Sequence, residues 1–318
     1  MALRRLGRTG AEVSSIGLGC WQFSEGFGLV GGFWPALPQD EVKAIVEKSL
    51  AGGITWFDTA EAYGNGRSEE ALSRALQAAG KKPGDVFVAT KWQPVGRTVS
   101  SLKGTIDERL RRLSPFPIDL HQVHQPYGFS SVEAEMEAMA DLVAEKKVRF
   151  VGVSNFNEGR MRRAHAALAK RGLTLASNQV KYSMLDRRIE MNGVLSAAKE
   201  LGVTVIAYSP LEQGLLSGKF HRDPSLLEKV GVRKWTRGFR TLNRSRPLID
   251  ELEKVAQAHG ATSSQVALAW LTTFHGDTVV AIPGATKVKH VEENVGAMRL
   301  TLSRQELDKL DELSRLFI

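Results

Sequence analysis

Short apolar runs alternate with amphipathic stretches along almost the whole chain. The runs fall at 16–19, 54–57, 86–90, 118–123, 148–153, 176–179, 203–207 and 279–282. Most are continuously apolar rather than alternating, which is how strands covered on both faces read. Between them the period lengthens to that of a helix. Val42, Ile45, Val46, Ser49 and Leu50 make one stripe, Met136, Met139, Ala140 and Val143 another, and Met161, Ala164, His165 and Leu168 a third. Ser130 with Glu133, Thr262 with Gln265, and Ser303 with Glu306 have the spacing of capping boxes, which predicts helix starts at all three.

Seven of the runs recur about every 27 to 38 residues, the length of a β-α unit. Eight such units with right-handed crossovers close into an α/β fold, the (β/α)8 TIM barrel, here expected as one domain over residues 1–318. The interval after the seventh run is longer. It holds a polar, basic stretch (213–246) and two helical patterns (248–259 and 264–273). One helix is expected as the crossover, the other as an insertion, and the polar part as a long loop. The first ten residues suggest a β-hairpin plugging the bottom of the barrel, and the capping box at Ser303 an extra C-terminal helix.

A doubly wound dinucleotide-binding fold is the competing architecture, because Gly26-Phe27-Gly28-Leu29-Val30-Gly31 matches its glycine fingerprint. That fingerprint must open a helix, and Gly32, Phe33, Trp34, Pro35 and Pro38 follow instead. The stretch reads as an aromatic-bearing loop over the barrel top.

Composition narrows the partners. The 318 residues are 42% hydrophobic and 25% charged, ordinary values for a globular protein, and 43 basic against 35 acidic side chains give +8. The longest basic cluster, Arg109, Arg111 and Arg112, is short and lies on a predicted helix with acidic residues nearby. A solvated surface together with a phosphorylated cofactor accounts for the charge better than nucleic acid does. One cysteine, Cys20, rules out an internal disulfide and suits a reducing compartment. Residues 1–10 carry basic side chains without an apolar stretch behind them, and no run reaches the roughly 18 apolar residues of a membrane span. The expectation is a cytoplasmic protein without a membrane partner, and no cluster of His, Cys, Asp and Glu has metal-ligand spacing.

Chemistry gathers where strands end. Asp58, Tyr63, Lys91 and His124 each stand at or just beyond the C-terminal end of an apolar run, the end that carries active sites in (β/α)8 barrels. Tyr63 is the candidate general acid. A free phenol, with a pKa of ~10, gives up its proton reluctantly, and a neighbouring Lys91 is expected to lower that value. Asp58 would hold Lys91 charged and oriented, and His124 would donate to the same carbonyl oxygen. Such a group can protonate an oxygen becoming an alkoxide, with the hydride coming from a cofactor.

The motifs around these residues resemble those of the aldo-keto reductase superfamily. Phe57-Asp58-Thr59-Ala60 through Tyr63-Gly64, Ala89-Thr90-Lys91 and Gln122-Val123-His124-Gln125-Pro126 resemble its catalytic-strand signatures. Gly152-Val153-Ser154-Asn155-Phe156, Asn178-Gln179-Val180, Tyr208-Ser209-Pro210-Leu211 and Ile282-Pro283-Gly284 resemble its cofactor signatures, in the same order. The resemblance implies an NADP(H)-dependent enzyme reducing an aldehyde or ketone, with the tetrad Asp58, Tyr63, Lys91 and His124. It also implies a nicotinamide cofactor lying across the barrel mouth, with Trp21 and Asp58 among its neighbours. Ser154, Asn155 and Gln179 would hold the carboxamide and Tyr208 would stack on the ring. Ser209, Pro210, Leu211, Gly214, Leu215 and Lys219 would wrap the pyrophosphate. Gly284, Thr286, Lys287, His290, Glu293 and Asn294 would take the adenosine end, and Arg240 is a further candidate clamp. Many members place basic residues where Gly284 and His290 stand here. Lys287, Lys289 and Thr286 could substitute, so NADP(H) is expected and use of NAD(H) stays open.

Trp21, Phe27, Trp34, Trp92 and Tyr127 are candidate walls of an apolar substrate pocket. His121 is expected to share the face of His124 and point into the barrel, and His165 and His259 to be structural. Two other functions stay open. Some proteins resembling the family are cofactor-sensing channel subunits, and a barrel lyase could use Lys91 as a Schiff-base nucleophile. Oligomeric state and the carbonyl substrate are not legible.

Overall fold

The computed structural model describes residues 3–28, 33–228 and 241–318, so Leu29, Val30 and Gly31 of the glycine-rich stretch and Arg240 lie outside the described residues. β1 (Leu3–Arg5) and β2 (Glu12–Ser14) pair antiparallel as the expected hairpin. β3 (Leu18–Gly19), β4 (Trp56–Asp58), β5 (Phe87–Trp92), β6 (Ile118–Val123), β7 (Val148–Ser154), β8 (Leu175–Lys181), β9 (Thr204–Tyr208) and β10 (Val279–Ala281) form one sheet in chain order, every neighbouring pair parallel. Bonds across the first and last strands close the ring. Gly17 N–H donates to Ala281 O (2.9 Å) and Gly19 N–H to Pro283 O (3.2 Å). The result is the (β/α)8 barrel that the spacing of the apolar runs implied.

The helices are α1 (Gln39–Ala51), α2 (Arg67–Ala78), α3 (Val99–Leu113), α4 (Val132–Ala144), α5 (Glu158–Ala169), α6 (Val194–Leu201), α7 (Lys219–Arg222), α8 (Arg246–Ala258), α9 (Ser263–Thr273), α10 (Val288–Ala297) and α11 (Arg304–Ser314). α1 buries Val42, Ile45, Val46 and Ser49, the stripe read from the sequence. Thr262 and Ser303 make both bonds of the capping box ahead of α9 and α11. The third box does not form, and the cap falls one residue later. Ser131 caps α4 and accepts from Ala134 N–H (3.2 Å), because the Ser130 hydroxyl is taken by Val99 N–H (2.9 Å) at the start of α3. The polar stretch after β9 is not a loop from its start. Leu215, Leu216 and Phe220 are buried, and that burial folds 212–217 into a 3-10 turn leading to α7.

Two apolar clusters decide where a ligand can enter. Leu6 and Val13 of the hairpin join Trp56, Phe87, Ala89, Leu120, Ala176, Ile206, Val280 and Ile282 in an inner cluster. Gly7 N–H seals the hairpin onto Thr204 Oγ1 (2.7 Å). With the hairpin end plugged, the C-terminal ends of the strands are the mouth. The larger cluster lies between strands and helices.

Strand parity overturns two expectations. Lys91 points inward, so Trp92 points outward. It is fully buried in the outer cluster, with its indole N–H donating to Ser101 Oγ (3.2 Å) on α3, and it cannot line a substrate pocket. His121 and His124 are three residues apart, an odd number, so they face opposite sides of β6. His121 is buried beside Arg109 of α3, and burial, helped by that guanidinium, pushes its pKa down to about 3.

A bulge sets the far side of the site. Val151 pairs with Leu175 but Gly152 with Ser177, leaving Ala176 as the extra residue in β8. Ala176 packs in the inner cluster, yet Gln179, three residues on, also reaches the barrel interior. Asn178 is thereby turned outward, and its Nδ2 donates to Phe156 O (2.8 Å). Gly152 is required beside the bulge, since a Cβ there would meet Ser177 Oγ and, at 3.0 Å, Gln122 Cγ.

Candidate active site

Asp58, Lys91, Gln122 and Gln179 form a buried layer just above the apolar plug. Lys91 Nζ, fully buried, donates to Asp58 Oδ1, to Thr59 O (2.9 Å) and to Tyr63 Oη (3.3 Å). The other Asp58 oxygen accepts from Gln122 Nε2 (3.1 Å) and Gln179 Nε2 (2.9 Å). The carboxylate is thus 1% exposed and saturated by three donors, which offsets the desolvation of a buried charge. Gln122 was missed as a site residue, although it stands two residues before His124 and so shares its inward face.

Burial alone would lower the Lys91 pKa, but the charge of Asp58, the Tyr63 hydroxyl and the hydrogen bonds to both raise it overall. Lys91 is therefore a fixed ammonium. Tyr63 departs from expectation. Its pKa is raised, because burial outweighs the pull of Lys91, and Asp58 adds to the rise. Burial disfavours the phenolate most, and an ammonium already paired with a carboxylate exerts only part of its field on the phenol. Tyr63 keeps its proton at neutral pH. His124 stands opposite, its ring 5.6 Å from that of Tyr63 and nearly perpendicular to it. Burial and the Lys91 charge push its pKa down to about 3, so it is a neutral imidazole.

Trp21 stacks on Tyr63 (6.0 Å between ring centres) and on Phe33 (5.0 Å), with Trp34 edge-on at 6.1 Å. Trp21, Phe33 and Trp34 thus form one aromatic group next to Tyr63. Phe27 is not brought to the tetrad, because its ring lies under the Arg67 guanidinium (3.8 Å). Tyr127 is largely exposed on the loop after β6.

Four of the residues expected at the cofactor, Tyr208, Asn155, Ser154 and Gln179, are joined in one chain of hydrogen bonds. Tyr208 Oη donates to Asn155 Oδ1 (3.0 Å), Asn155 Nδ2 to Ser154 Oγ (3.1 Å) and His124 O (3.3 Å), and Ser154 Oγ to Gln179 O (2.9 Å). The amide nitrogen of Gln179 is committed to Asp58. Ser209, Glu212 and Gln213 all have positive φ, so the turn after β9 is held in a conformation unusual for side-chain-bearing residues. Pro210 lies in this turn beside half-buried Leu211. Leu215 is fully buried in the outer cluster, which leaves only its main chain to meet a ligand. Gly214 lies against Lys219, whose Nζ would be 3.1 Å from an added Cβ.

At the start of α10, Thr286 N–H donates to His290 Nδ1 (3.3 Å). Burial holds the His290 imidazole below its usual range, and the charges of Lys219, Lys287 and Lys289 act in the same direction against Glu293. Asn294 is buried, and its Nδ2 has no hydrogen-bond partner. Gly284 packs on the Gln22 side chain, which occupies the space a Cβ would need. Among the described residues no helix is long and apolar enough to cross a membrane, and no group of three or more His, Cys, Asp or Glu could hold a metal ion.

A parallel barrel plugged at one end, with a proton-bearing polar layer at the other, defines the class of the molecule. The family model for the aldo/keto reductase family matches residues 15–315, and the chain belongs to that family of oxidoreductases. It is 39% identical to an uncharacterized oxidoreductase of Mycobacterium tuberculosis over 308 residues, covering 96% of this chain and 91% of that one. An aldo-keto reductase of Strobilurus tenacellus is 34% identical over 98% of this chain and 91% of its own length. Among solved structures, a thermostable aldo-keto reductase in complex with the inhibitor epalrestat matches with a TM-score of 0.78 and 32% identity, over 98% of this chain and 100% of the other. An aldo-keto reductase from Klebsiella pneumoniae in complex with NADPH matches with a TM-score of 0.75 and 28% identity, over 98% and 95%.

Proposed function

We propose that this protein reduces an aldehyde or ketone to the alcohol with NADPH, Tyr63 donating the proton. The observation that carries this reading is Lys91 Nζ bonded at once to the Asp58 carboxylate and the Tyr63 hydroxyl, at the mouth of the barrel. When bound, the nicotinamide nucleotide supplies the hydride.

The chain's own groups then have separable tasks. Tyr63 holds a proton that it releases only to a stronger base than phenolate, and an oxygen acquiring alkoxide character is one. Lys91 stabilises the phenolate left behind, and Asp58, gripped by Gln122 and Gln179, keeps Lys91 charged and aimed. Neutral His124 donates a hydrogen bond to the carbonyl oxygen without competing as a base. Trp21, Phe33 and Trp34 exclude water from the reacting centre.

The fit of the residues to NADPH rests on two observations. The unpartnered Nδ2 of buried Asn294 is a donor waiting for a polar ligand. Lys219, Lys287 and Lys289 bear together on His290, which makes a cationic patch suited to phosphate at a helix N-terminus. Ser154, Asn155, Gln179 and Tyr208 would hold the nicotinamide end, and the turn from Ser209 to Lys219 the pyrophosphate. With Gln22 filling the space beside Gly284, selection of the phosphorylated nucleotide falls to these lysines. The neighbour solved with NADPH supports the same choice.

A panel of aldehydes and ketones assayed with NADPH and NADH in parallel tests the reading. At least one carbonyl should drive NADPH oxidation, with NADH at least about tenfold poorer in kcat/KM, equivalent to ~1.4 kcal/mol of discrimination. No carbonyl-dependent oxidation of either nucleotide would overturn it.

The pH profile tests the protonation states. His124, with its pKa near 3, stays neutral throughout, so kcat/KM should vary no more than about twofold between about pH 5.5 and 8. It should fall only in the alkaline range above ~10, as Tyr63 with its raised pKa loses the proton it must donate. A limb centred near pH 6.5 would show that the imidazole titrates in the working enzyme.

A further inference from the structure

The basic cluster at Arg109, Arg111 and Arg112 is not wholly a solvated surface. Arg111 is exposed, but Arg109 is 2% exposed, and its guanidinium runs inward beneath the loop that joins Asp58 to Tyr63. On that loop Glu61 lies between the two site residues. Its backbone N–H donates to Lys91 O (3.1 Å), and its carboxylate is gripped from three sides. Arg109 Nη1 donates to Oε2 (2.6 Å), Gln93 N–H to the same oxygen (3.2 Å), and Arg97 Nη1 to Oε1. Arg109 is itself fixed by Thr105 Oγ1 (3.1 Å) and Glu108 (3.3 Å) on α3. At the other end of the loop, Gly66 has φ 90°, and the Arg112 guanidinium lies where a Cβ would be.

Both ends of the Tyr63 loop thus rest on the same face of α3, one turn apart. A loop carrying a proton donor must be held to within a fraction of an ångström, and neutral contacts at a barrel rim do this poorly. A grip by two arginines on one carboxylate, Arg109 buried and Arg97 partly so, does it better, because charge-assisted hydrogen bonds are shorter and stronger than neutral ones.

We propose that Glu61 and Arg109 are positioning residues for the reaction, clamping the 59–66 loop so that Tyr63 sits over Lys91. The proposal rests on the reading of Tyr63 as proton donor. Glu61→Gln keeps the volume and removes the charge, and Arg109→Lys keeps the charge and removes the fork. Both variants should lower kcat by about 10- to 100-fold, with the NADPH dissociation constant changed by less than about twofold. Hydrogen–deuterium exchange across 59–68 of the apoprotein should rise in both. Arg111→Ala, which removes only an exposed guanidinium 3.9 Å from Glu108, should match the wild type in every measurement.

Wild-type kcat in the folded variants, unchanged exchange in the loop, or a kcat loss matched by an equal loss of NADPH affinity would each overturn the proposal. If Arg109→Lys does not fold, Glu61→Gln decides alone. Failure of the underlying reading looks different, because the wild type itself would then oxidise no NADPH. The exchange measurement, made without cofactor or substrate, still decides whether the clamp exists.

Discussion

Tyr63→Phe should lower kcat for carbonyl reduction by roughly 10²- to 10⁴-fold, the range a positioned general acid contributes, while NADPH binds within about twofold of wild type. The substitution removes one oxygen and leaves the ring stacked on Trp21, so packing at the mouth is retained. What disappears is the proton and the hydroxyl that Lys91 holds at 3.3 Å. The Lys91–Asp58 pair keeps its remaining bonds to Thr59 O, Gln122 and Gln179, so stability should change by less than about 1 kcal/mol. The measurement is steady-state NADPH oxidation at saturating carbonyl, beside a fluorescence titration of NADPH. Turnover within a few-fold of wild type would remove Tyr63 from the role of proton donor.

Lys91→Met should be as damaging to activity and far more damaging to the fold. Both partners of the ion pair are buried, and removing one leaves the other charged in a site of low polarity, at a cost of about 3–5 kcal/mol. Gln122 and Gln179 still donate to Asp58 but carry no charge. The carboxyl then escapes part of the penalty by taking up a proton, so its pKa in the folded variant rises above its unfolded value. For a raised carboxyl the sign is clear. The variant keeps most stability at a pH below the unfolded value near 3.9 and loses it as the pH climbs through the raised folded value. Relative to wild type, Lys91→Met should therefore be less destabilised at pH 5 than at pH 8. Adding Asp58→Asn should restore most of the stability at pH 8 and none of the activity. Urea denaturation of the two single variants and the double variant gives the coupling directly. A single variant as stable as wild type at pH 8 would mean that the pair does not carry the charge burial inferred for it.

The barrel and the gathering of Asp58, Tyr63, Lys91 and His124 at one end of it were legible because both depend on features with a simple period. Continuous apolar runs about 30 residues apart leave few folds other than a closed parallel barrel, and polar residues at the strand ends then have one mouth to share. The hairpin plug, two of the three capping boxes and both helices after β9 were legible for the same reason: short-range geometry sets them. Errors came where a count or a neighbour decided the outcome. The odd separation of His121 from His124 turns His121 outward, and the inward turn of Lys91 turns Trp92 outward beside it. Ser130 lost its cap role to a bond from Val99, 31 residues away. The rise in the Tyr63 pKa needed the depth of the phenol and the neutralising carboxylate together.

Local sequence thus determined the strand count, the end of the barrel where polar side chains gather and the residue types found there. Those properties follow from periodicity and from the chirality of β-α crossovers, which act over tens of residues or fewer. The tertiary structure alone decided that a bulge at Ala176 turns Gln179 onto Asp58, that Gln122 completes that carboxylate's shell, and that buried Arg109 reaches Glu61 on the Tyr63 loop. Each of these joins residues distant in sequence, with 121 positions separating Gln179 from Asp58 and 48 separating Arg109 from Glu61. Such pairings arise only once the ring has closed and burial makes an unpaired charge too costly to leave.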